Sequence, residues 1–325
     1  MGFDPSQLPD LSGKIYLVTG GNTGIGKETV KHLAGHHAKV YLAARSEAKA
    51  DVAIADIQKS VPNADIRFLK LDMMDLASVA ASAKDFLSKE TKLHGLVNNA
   101  GIMAVEFAES TDGYESQFQT NYLSHWLFTN ILLPVLLHTA ADAAPGAVRI
   151  INVTSNGHNL FAPKAGIDFS DINQIAGSPW SRYGMSKLGN ILHSKELHRR
   201  YGPGSSAESR QIAANVLPGT TPPATGEIWT ASAHPGAVDT NLNTQTTGFN
   251  FQPILKCFGV YSNPEKGAYT SLYVAASADF KSSDSGNYYS PVAKKSKPSK
   301  HAQDAELAKK LWDWTETELK GKKLI

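Results

Sequence analysis

Residues 15–26 read Ile15-Tyr16-Leu17-Val18-Thr19-Gly20-Gly21-Asn22-Thr23-Gly24-Ile25-Gly26. The apolar start of this stretch is typical of a buried strand, and Lys27 to Ala34 follows with helical character. A strand, a glycine-rich turn and a helix in this order are the context of a dinucleotide-binding loop. Glycines at 20, 24 and 26 let the backbone turn tightly and approach a pyrophosphate, whose charge a helix N-terminus stabilises. A glycine-rich turn without a ligand is the alternative.

Tyr183 and Lys187 enclose Gly184-Met185-Ser186 far downstream of this loop. A tyrosine one helical turn before a lysine shares a helix face with it, so the ammonium can lie beside the phenol. A nearby cation favours phenolate and brings this weak acid closer to a pH at which it exchanges a proton. The pair alone is a common accident, but together with the upstream loop it predicts hydride transfer.

A second strand is predicted over Lys39 to Ala44, and it ends at Arg45. Enzymes that prefer NAD usually have a carboxylate at this strand end, where it binds the ribose 2′-hydroxyl. Here Ala44 and Arg45 stand in its place, and a guanidinium suits a 2′-phosphate. The sequence therefore favours NADP(H), although Arg45 could also be a solvated residue at a strand end.

The composition indicates a globular α/β protein. The chain has 325 residues, 42% of them hydrophobic, which is enough to bury one large core. Lys and Arg number 32 against 30 Asp and Glu, so no nucleic-acid partner is predicted. The single cysteine, Cys257, excludes an intramolecular disulfide and fits a reducing compartment. No signal peptide and no apolar run long enough to span a bilayer are visible, so we expect a cytoplasmic protein without an integral membrane segment.

Strand-like and helix-like runs alternate from Lys14 to about residue 290, which is the pattern of a doubly wound parallel sheet. The predicted strands are 15–18, 39–44, 66–71, 93–97, 148–153, 227–233 and a short one near 287–289. The predicted helices include 47–60, 76–89, 114–137, 183–201 and a C-terminal helix over 303–320. No repeat or linker divides the chain, so we expect a single Rossmann-type domain over 1–325, with helices on both faces of the sheet.

Three further segments carry predictions of their own. Residues 203–225 are rich in Gly, Ser, Pro and Thr, which predicts a surface insertion. Residues 239–263 combine aromatic and aliphatic side chains with threonines and glycines, which predicts a lid over a sizeable apolar ligand. Residues 293–300 form a basic run, predicted to be a solvated loop, with an anionic partner as the alternative.

These motifs, in this order, resemble those of the short-chain dehydrogenase/reductase family over about residues 12 to 290. The detail is most similar to the retinol dehydrogenase and protochlorophyllide reductase group. The glycine loop resembles the cofactor loop of the family, Asn98-Asn99-Ala100-Gly101 its adenine-ribose motif, and Pro235-Gly236 with Thr240 its nicotinamide segment. The resemblance implies these cofactor-binding residues: Gly20, Asn22, Thr23, Gly24, Ile25, Gly26, Arg45, Asp72, Asn99, Ala100, Gly101, Tyr183, Lys187, Pro235, Gly236 and Thr240.

The resemblance also implies a catalytic tetrad of Asn121, Ser155, Tyr183 and Lys187. Ser155 would hold the carbonyl oxygen of the substrate, and Tyr183 would act as general acid in reduction and as base in oxidation. Lys187 would lower the pKa of Tyr183 and hold the nicotinamide ribose. Asn121 would anchor a water molecule that links Lys187 to solvent.

Several alternatives stay open. Thr154 lies next to Ser155 and could be taken for it, and Asp72 could instead cap the helix predicted from residue 76. The histidines lack metal-ligand spacing, so no metal is expected. Ser155 and Tyr183 lie further apart than is usual in the family, and residues 156–182 between them are predicted to form a wall of the substrate site. This insert could also obstruct a helix face used in dimerisation, which leaves monomer and homodimer open.

The sequence predicts an NADPH-dependent oxidoreductase that interconverts a ketone or aldehyde and an alcohol on a hydrophobic or polycyclic substrate. One alternative is a redox-neutral enzyme that rearranges, cyclises or dehydrates its substrate, with the dinucleotide as part of the site. Another is a regulator that binds NADP and a protein partner. The retained Ser155, Tyr183 and Lys187 argue against the regulator, which would not need them.

Overall fold

The structure, a computed structural model, describes residues 2–214, 226–239 and 262–325. Thr240, Cys257 and nearly all of the predicted lid lie outside the described residues. Residues 215–225 of the predicted insertion also lie outside them.

One eight-stranded sheet organises the described chain. Its strands are β1 (Ile15–Thr19), β2 (Lys39–Ala44), β3 (Ile66–Lys70), β4 (Gly95–Asn98), β5 (Arg149–Val153), β6 (Trp229–Ala233), β7 (Asn287–Ser290) and β8 (Lys294–Ser296). Their order is β3-β2-β1-β4-β5-β6-β7-β8, and every pair is parallel except β7 with β8. Strands β2 and β3 are added on one side of β1, and strands β4 to β8 are added in order on its other side. The predicted doubly wound fold is confirmed, and its crevice opens at the carboxyl ends of β1 and β4.

The helices connect these strands. They are α1 (Gly24–Gly35), α2 (Glu47–Ser60), α3 (Leu76–Lys89), α4 (Ser116–Phe118), α5 (Ser124–Ala141), α6 (Gly157–Leu160), α7 (Pro179–Tyr201), α8 (Ala207–Ala214), α9 (Pro264–Ala276), α10 (Lys300–Gln303) and α11 (Ala305–Gly321). A π-helical turn, Gln119–Leu123, joins α4 to α5, so the helix predicted over 114–137 consists of three segments.

The sheet is buried on both faces, which explains why its central strands are nearly continuous apolar runs. On one face, α1, α2 and α9 bury side chains such as Leu33, Ile57 and Leu272. On the other, α3, α5, α7 and α11 form a second core around Phe86 and Trp126. Each fully buried large apolar side chain contributes roughly 1.5–3 kcal/mol relative to exposure, so two cores of this size hold the strand ends in place.

The structure contains elements that the sequence reading missed. Helix α8 lies within the predicted insertion, and α9 was not predicted at all. Strand β8 occupies part of the basic run that was predicted to be a loop. Its Lys294 and Lys295 are exposed on an edge strand, where charged side chains oppose pairing with another chain.

Candidate active site

The glycine loop packs directly on the segment that follows β4. Gly20 has a φ of +64°, and a Cβ there would lie 3.0 Å from the Ala100 Cα. A Cβ on Gly26 would lie 2.3 Å from the Gly20 carbonyl oxygen and 2.5 Å from the Asn99 side-chain nitrogen. No larger residue fits at either position, so the loop keeps its backbone close to the neighbouring segment and presents no side chain between them.

Thr19 joins the end of β1 to this segment. Its hydroxyl oxygen accepts hydrogen bonds from the backbone amides of Asn99 and Ala100, both at 2.9 Å. The Asn99 side chain donates in turn to the Thr19 carbonyl at 2.8 Å. These bonds fix the two strand ends that border the crevice.

His125 extends the same network, and the sequence reading missed it. Its Nδ1 lies 2.9 Å from the Asn121 carbonyl oxygen, and its Nε2 lies 2.8 Å from the Thr19 hydroxyl. A carbonyl can only accept, so Nδ1 carries the proton and Nε2 accepts from Thr19. Burial lowers the pKa of His125 to about 3, which keeps the ring neutral. The one available signal was a histidine one helical turn after Asn121.

Arg45 and Asp72 follow neighbouring strands, β2 and β3, at the same edge of the sheet. Arg45 is exposed, and the ammonium of Lys70 donates to its carbonyl oxygen at 2.6 Å, which places a second cation at this strand end. Asp75 caps α3 by accepting from the Ser78 amide at 3.1 Å. The alternative that Asp72 caps this helix is therefore wrong.

Asn121 lies in the π-helical turn and is held at each end of its amide. Its nitrogen donates to the Ser186 hydroxyl at 2.8 Å and to the Ile102 carbonyl at 3.0 Å. Its oxygen accepts from the Ile102 amide at 2.9 Å. A Cβ on Gly101 would lie 3.0 Å from that oxygen and 3.3 Å from the Lys187 nitrogen, so Gly101 lies between the two side chains.

The structure distinguishes Ser155 from Thr154. The Thr154 hydroxyl is buried and donates to the Lys187 carbonyl oxygen at 2.8 Å. Ser155 instead lies beside Tyr183: a Cβ on Gly157 would lie 3.4 Å from the Ser155 hydroxyl oxygen and 2.9 Å from the Tyr183 ring. The Ser155 hydroxyl oxygen accepts a hydrogen bond from the Gly157 amide at 3.1 Å. Ser155 and Tyr183 thus lie together, 28 positions apart in sequence (183 − 155).

Burial dominates the protonation of Tyr183 and Lys187. It raises the pKa of Tyr183 to about 12, and the hydrogen bond with Ser155 opposes this rise. Burial also lowers the pKa of Lys187 to about 8, while its nitrogen donates to the Val153 carbonyl at 3.2 Å. The prediction that Lys187 lowers the pKa of Tyr183 is therefore wrong in this structure, because burial raises that pKa and Lys187 is not among the groups that oppose the rise.

The insert between Ser155 and Tyr183 brings an aromatic pair to the site. The ring centroids of Phe161 and Trp180 are 4.9 Å apart, and Trp180 meets the Tyr183 ring edge-on at 6.3 Å. A Cβ on Gly184 would lie 2.4 Å from the Ala162 amide nitrogen, so a glycine after Tyr183 lets the insert pack on α7. Phe169, predicted in the same wall, has Trp314 of α11 as a ring neighbour, with centroids 6.4 Å apart.

Pro235 and Gly236 lie just beyond β6, at the same edge of the sheet as the other strand ends. Gly236 has a φ of +89°, and a Cβ there would lie 2.9 Å from the Pro291 side chain. Among the described residues, no cluster of three or more His, Cys, Asp and Glu side chains could hold a metal ion. Within the same ranges, no helix combines the length and the apolar character needed to cross a membrane.

Known proteins are similar to this chain in both sequence and fold. The sequence pattern of the family described as short chain dehydrogenase matches residues 14–165. The short-chain dehydrogenase/reductase drtF of Aspergillus calidoustus is 53% identical over 324 residues, which cover 99% of this chain and 98% of that protein. This chain belongs to the short-chain dehydrogenase/reductase family. The resemblance deduced from the motifs is confirmed.

Other relatives of this short-chain dehydrogenase/reductase are consistent with the subgroup and the fold. Retinol dehydrogenase 11 of Mus musculus is 36% identical over 305 residues, which cover 93% of this chain and 85% of that protein. A crystal structure of an uncharacterized protein from Mycobacterium paratuberculosis has a TM-score of 0.70 and 27% identity, covering 98% of both chains. Family membership makes the protein an oxidoreductase of a family that binds NAD(P).

Proposed function

We propose that this protein uses NADP(H) to interconvert a ketone or aldehyde and an alcohol on a hydrophobic or polycyclic substrate. The observation that carries the proposal is the meeting of Ser155 and Tyr183, which are 28 positions apart in sequence (183 − 155) and lie on either side of Gly157, just beyond the end of β5. Lys187 lies on the next turn of α7, and Asn121 lies beside it across Gly101. A hydroxyl, a phenol and an ammonium in this order suit proton transfer to a carbonyl oxygen.

The cofactor-binding residues fit a dinucleotide. The loop around Gly20 and Gly26 is a cradle in which any Cβ would collide with the neighbouring backbone or with Asn99. This loop would hold the pyrophosphate at the start of α1. Arg45 would bind the 2′-phosphate and Asp72 the adenine amine. The wider set proposed to line this site is Asn22, Thr23, Gly24, Ile25, Asn99, Ala100, Gly101, Lys187, Pro235 and Gly236, with Thr240 outside the described residues.

The bound NADPH would supply the hydride, and the chain's own residues would manage the charge and the proton. Ser155 would donate its hydroxyl hydrogen to the substrate oxygen and stabilise the negative charge that develops there. With a pKa of about 12, Tyr183 is a neutral phenol at pH 7 and is ready to donate a proton in the reductive direction. Lys187, with a pKa of about 8, is still mostly charged at pH 7 and sits close enough to stabilise the phenolate left behind.

Apolar side chains near Tyr183 support a hydrophobic substrate. The Trp180 ring contacts the Tyr183 ring edge-on and pairs with Phe161, and the neighbouring Leu160 is 62% exposed. Phe107 is 37% exposed and lies over the guanidinium of Arg182, the residue before Tyr183. Exposed apolar side chains that gather around a polar centre are typical of sites that bind apolar ligands.

The test is oxidation of NADPH by the purified protein in the presence of aromatic, polycyclic and aliphatic carbonyl compounds, beside a Tyr183→Phe control. We expect turnover with the hydrophobic carbonyls, and its loss in the control while the Kd for NADPH stays nearly the same. Retained turnover in Tyr183→Phe would overturn the role of the phenol. NADPH that binds but is never oxidised would favour a redox-neutral enzyme or a regulator instead.

A further inference from the structure

His158 is a buried side chain outside the tetrad that contacts the backbone of Ser155. It lies in α6, and 2% of it is exposed. Its Nδ1 is 2.7 Å from the Ser155 carbonyl oxygen, and its backbone amide donates to the same oxygen at 3.2 Å. The Ser155 carbonyl oxygen therefore accepts two hydrogen bonds from His158, and both bonds close the turn formed by residues 155–158.

The other side of the His158 ring reaches the C-terminal part of the chain. Its Nε2 accepts from the backbone amide of Ser299 at 3.1 Å. Ser299 is the N-cap of α10, and a residue at that position has no helical partner for its own amide. His158 supplies this partner across 141 positions of sequence. The edge of the Tyr288 ring, with its centroid 5.3 Å away, covers the imidazole.

These contacts fix one tautomer. The Ser155 carbonyl can only accept, so Nδ1 carries the proton, and Nε2 is the acceptor for the Ser299 amide. Burial lowers the pKa of His158, which keeps the ring neutral and both hydrogen bonds in this direction. The neutral ring of His158 thus donates one hydrogen bond and accepts another, and these two bonds connect the Ser155 turn to Ser299, the N-cap of α10.

We propose that His158 is a positioning residue that fixes the Ser155 turn for catalysis, with Ser299 as its anchor. The inference rests on the proposed function, because it assigns Ser155 the role of holding the substrate oxygen. The Ser155 hydroxyl oxygen accepts from the Gly157 amide, inside the turn that His158 closes. Loosening this turn moves the hydroxyl relative to Tyr183, and a misplacement of about 1 Å can cost roughly 100-fold in rate.

Two substitutions separate the two hydrogen bonds of the ring. In His158→Asn the amide nitrogen can replace Nδ1 as a donor to Ser155, but the side chain is too short to reach Ser299. In His158→Gln the amide can replace Nε2 as the acceptor for Ser299 and loses the donor near Ser155. His193→Gln is the matched control, because His193 is also buried in a neutral state but packs against Tyr122 and Trp312.

The first measurement is turnover of the best carbonyl substrate together with the Kd for NADPH. We expect kcat to fall about 10- to 100-fold in His158→Gln and to stay within about 3-fold of wild type in His158→Asn. We expect the Kd for NADPH to stay within about 2-fold in both, because His158 does not contact the glycine loop. The His193→Gln control should keep the wild-type kcat. Equal kcat in the two His158 variants, or a loss as large in His193→Gln, would overturn the inference.

The second measurement is amide hydrogen exchange in the absence of substrate. Gly157, which donates to the Ser155 hydroxyl, should exchange faster in His158→Gln and at the wild-type rate in His158→Asn. Ser299 should show the opposite pattern. This readout does not depend on turnover. If the wild-type protein reduces no carbonyl, the proposed function fails, while unchanged Gly157 exchange in His158→Gln would refute the positioning by itself.

Discussion

The side-chain nitrogen of Lys187 lies 5.8 Å from the centre of the Tyr183 ring and donates to the Val153 carbonyl at 3.2 Å. The Asn190 side chain donates to the same carbonyl at 2.9 Å. The last carbonyl of β5 therefore holds two side chains from successive turns of α7. The position of the ammonium is set by the strand end, so a cofactor or substrate would meet a lysine that is already in place.

Replacing Lys187 with methionine should abolish turnover and change how stability depends on pH. Burial lowers the pKa of Lys187 to about 8 from its usual 10.5. Between these values the unfolded chain holds a proton that the folded protein has released, so stability rises with pH, by up to about 1.4 kcal/mol per pH unit. Below pH 8 the cost of burying the charge is fully present. In Lys187→Met this rise should be absent.

Urea unfolding of the wild type and Lys187→Met between pH 7.5 and 9.5 measures the difference directly. The free energy of unfolding of the wild type should gain on that of the variant as the pH increases. Parallel curves would contradict the lowered pKa. The comparison cancels the other titrating groups, including the buried tyrosines, because both proteins share them.

The sequence predicted the elements whose signals are local. The run ending at Thr19 is apolar over its length, and the spacing of the glycines that follow predicts the tight turn and the close approach of the backbone that the structure contains. Helix α9 was missed because Gly267, Thr270 and Ser271 interrupt its apolar pattern, although all three are buried. Strand β8 was missed because three residues, two of them lysines, carry no alternation. Both elements are stabilised by neighbours that are distant in sequence.

The same distinction applies to the site. Ser155, Tyr183 and Lys187 were recognisable from short motifs, and the structure brings them together. The partners of Thr19 and His158 were not recognisable, since His125 lies 106 positions from Thr19 and Ser299 lies 141 positions from His158. Such contacts depend on the order of strands in the sheet and on where the C-terminal segment returns. No local pattern encodes them.

Replacing Arg45 with alanine should weaken the binding of NADPH far more than the binding of NADH, because the two cofactors differ only in the 2′-phosphate. Losing a charged partner of a phosphate costs about 1.5–3 kcal/mol, or roughly 10- to 100-fold in Kd. Lys70→Ala should have a smaller effect in the same direction, since Lys70 binds the Arg45 carbonyl. Arg67→Ala is the control, because it removes an exposed arginine of β3 paired with Asp65.

The measurement is the Kd for NADPH and NADH by fluorescence titration at fixed salt concentration. The ratio of the two constants should collapse in Arg45→Ala and stay at the wild-type value in Arg67→Ala. Equal losses for both cofactors in Arg45→Ala would remove the basis for a preference for NADP(H).

Gly26→Ala should disrupt the cofactor loop. Its methyl group would lie 2.3 Å from the Gly20 carbonyl oxygen, so the loop or the Asn99 segment must move. We expect loss of measurable dinucleotide binding and a lower thermal midpoint. Gly35→Ala, near the end of the same helix, meets its nearest atom at 3.8 Å and should be neutral or stabilising by up to about 1 kcal/mol. If Gly26→Ala bound the dinucleotide as tightly as the wild type, the close contact between Gly26 and the Gly20 carbonyl oxygen would not be needed for binding.

Removing a buried neutral histidine should flatten the loss of stability in acid. Burial lowers the pKa of His193 to about 3 from 6.5. Between these values only the unfolded chain binds the proton, so stability is complete above pH 6.5 and falls as the pH decreases, by about 1.4 kcal/mol per pH unit. Urea unfolding at pH 4.5, 5.5 and 7 should show a shallower decline for His193→Gln than for wild type. Identical slopes would mean that the ring titrates normally.

Helix α11 covers a face shared by α5 and α7, and Trp312 is its main contact. The Trp312 ring lies 4.9 Å from that of Trp126, and the Arg200 guanidinium lies 4.6 Å from it. Trp312→Ala should lower the free energy of unfolding by about 3–5 kcal/mol, because the cavity cannot fully collapse between two helices. Thr317→Ala, on the exposed side of α11, should change it by less than about 0.5 kcal/mol.

Removal of residues 304–325 tests what this cover does for assembly. The deletion removes the Trp312 ring from Trp126 and the Thr315 hydroxyl from Tyr122, so it uncovers apolar surface on α5 and on the π-helical turn before it. We expect the truncated chain to self-associate, measured by light scattering across a concentration series, while the full chain keeps its own state at the same concentrations. A truncated chain with the mass of one subunit at every concentration would show that α11 stabilises the fold without masking an association surface.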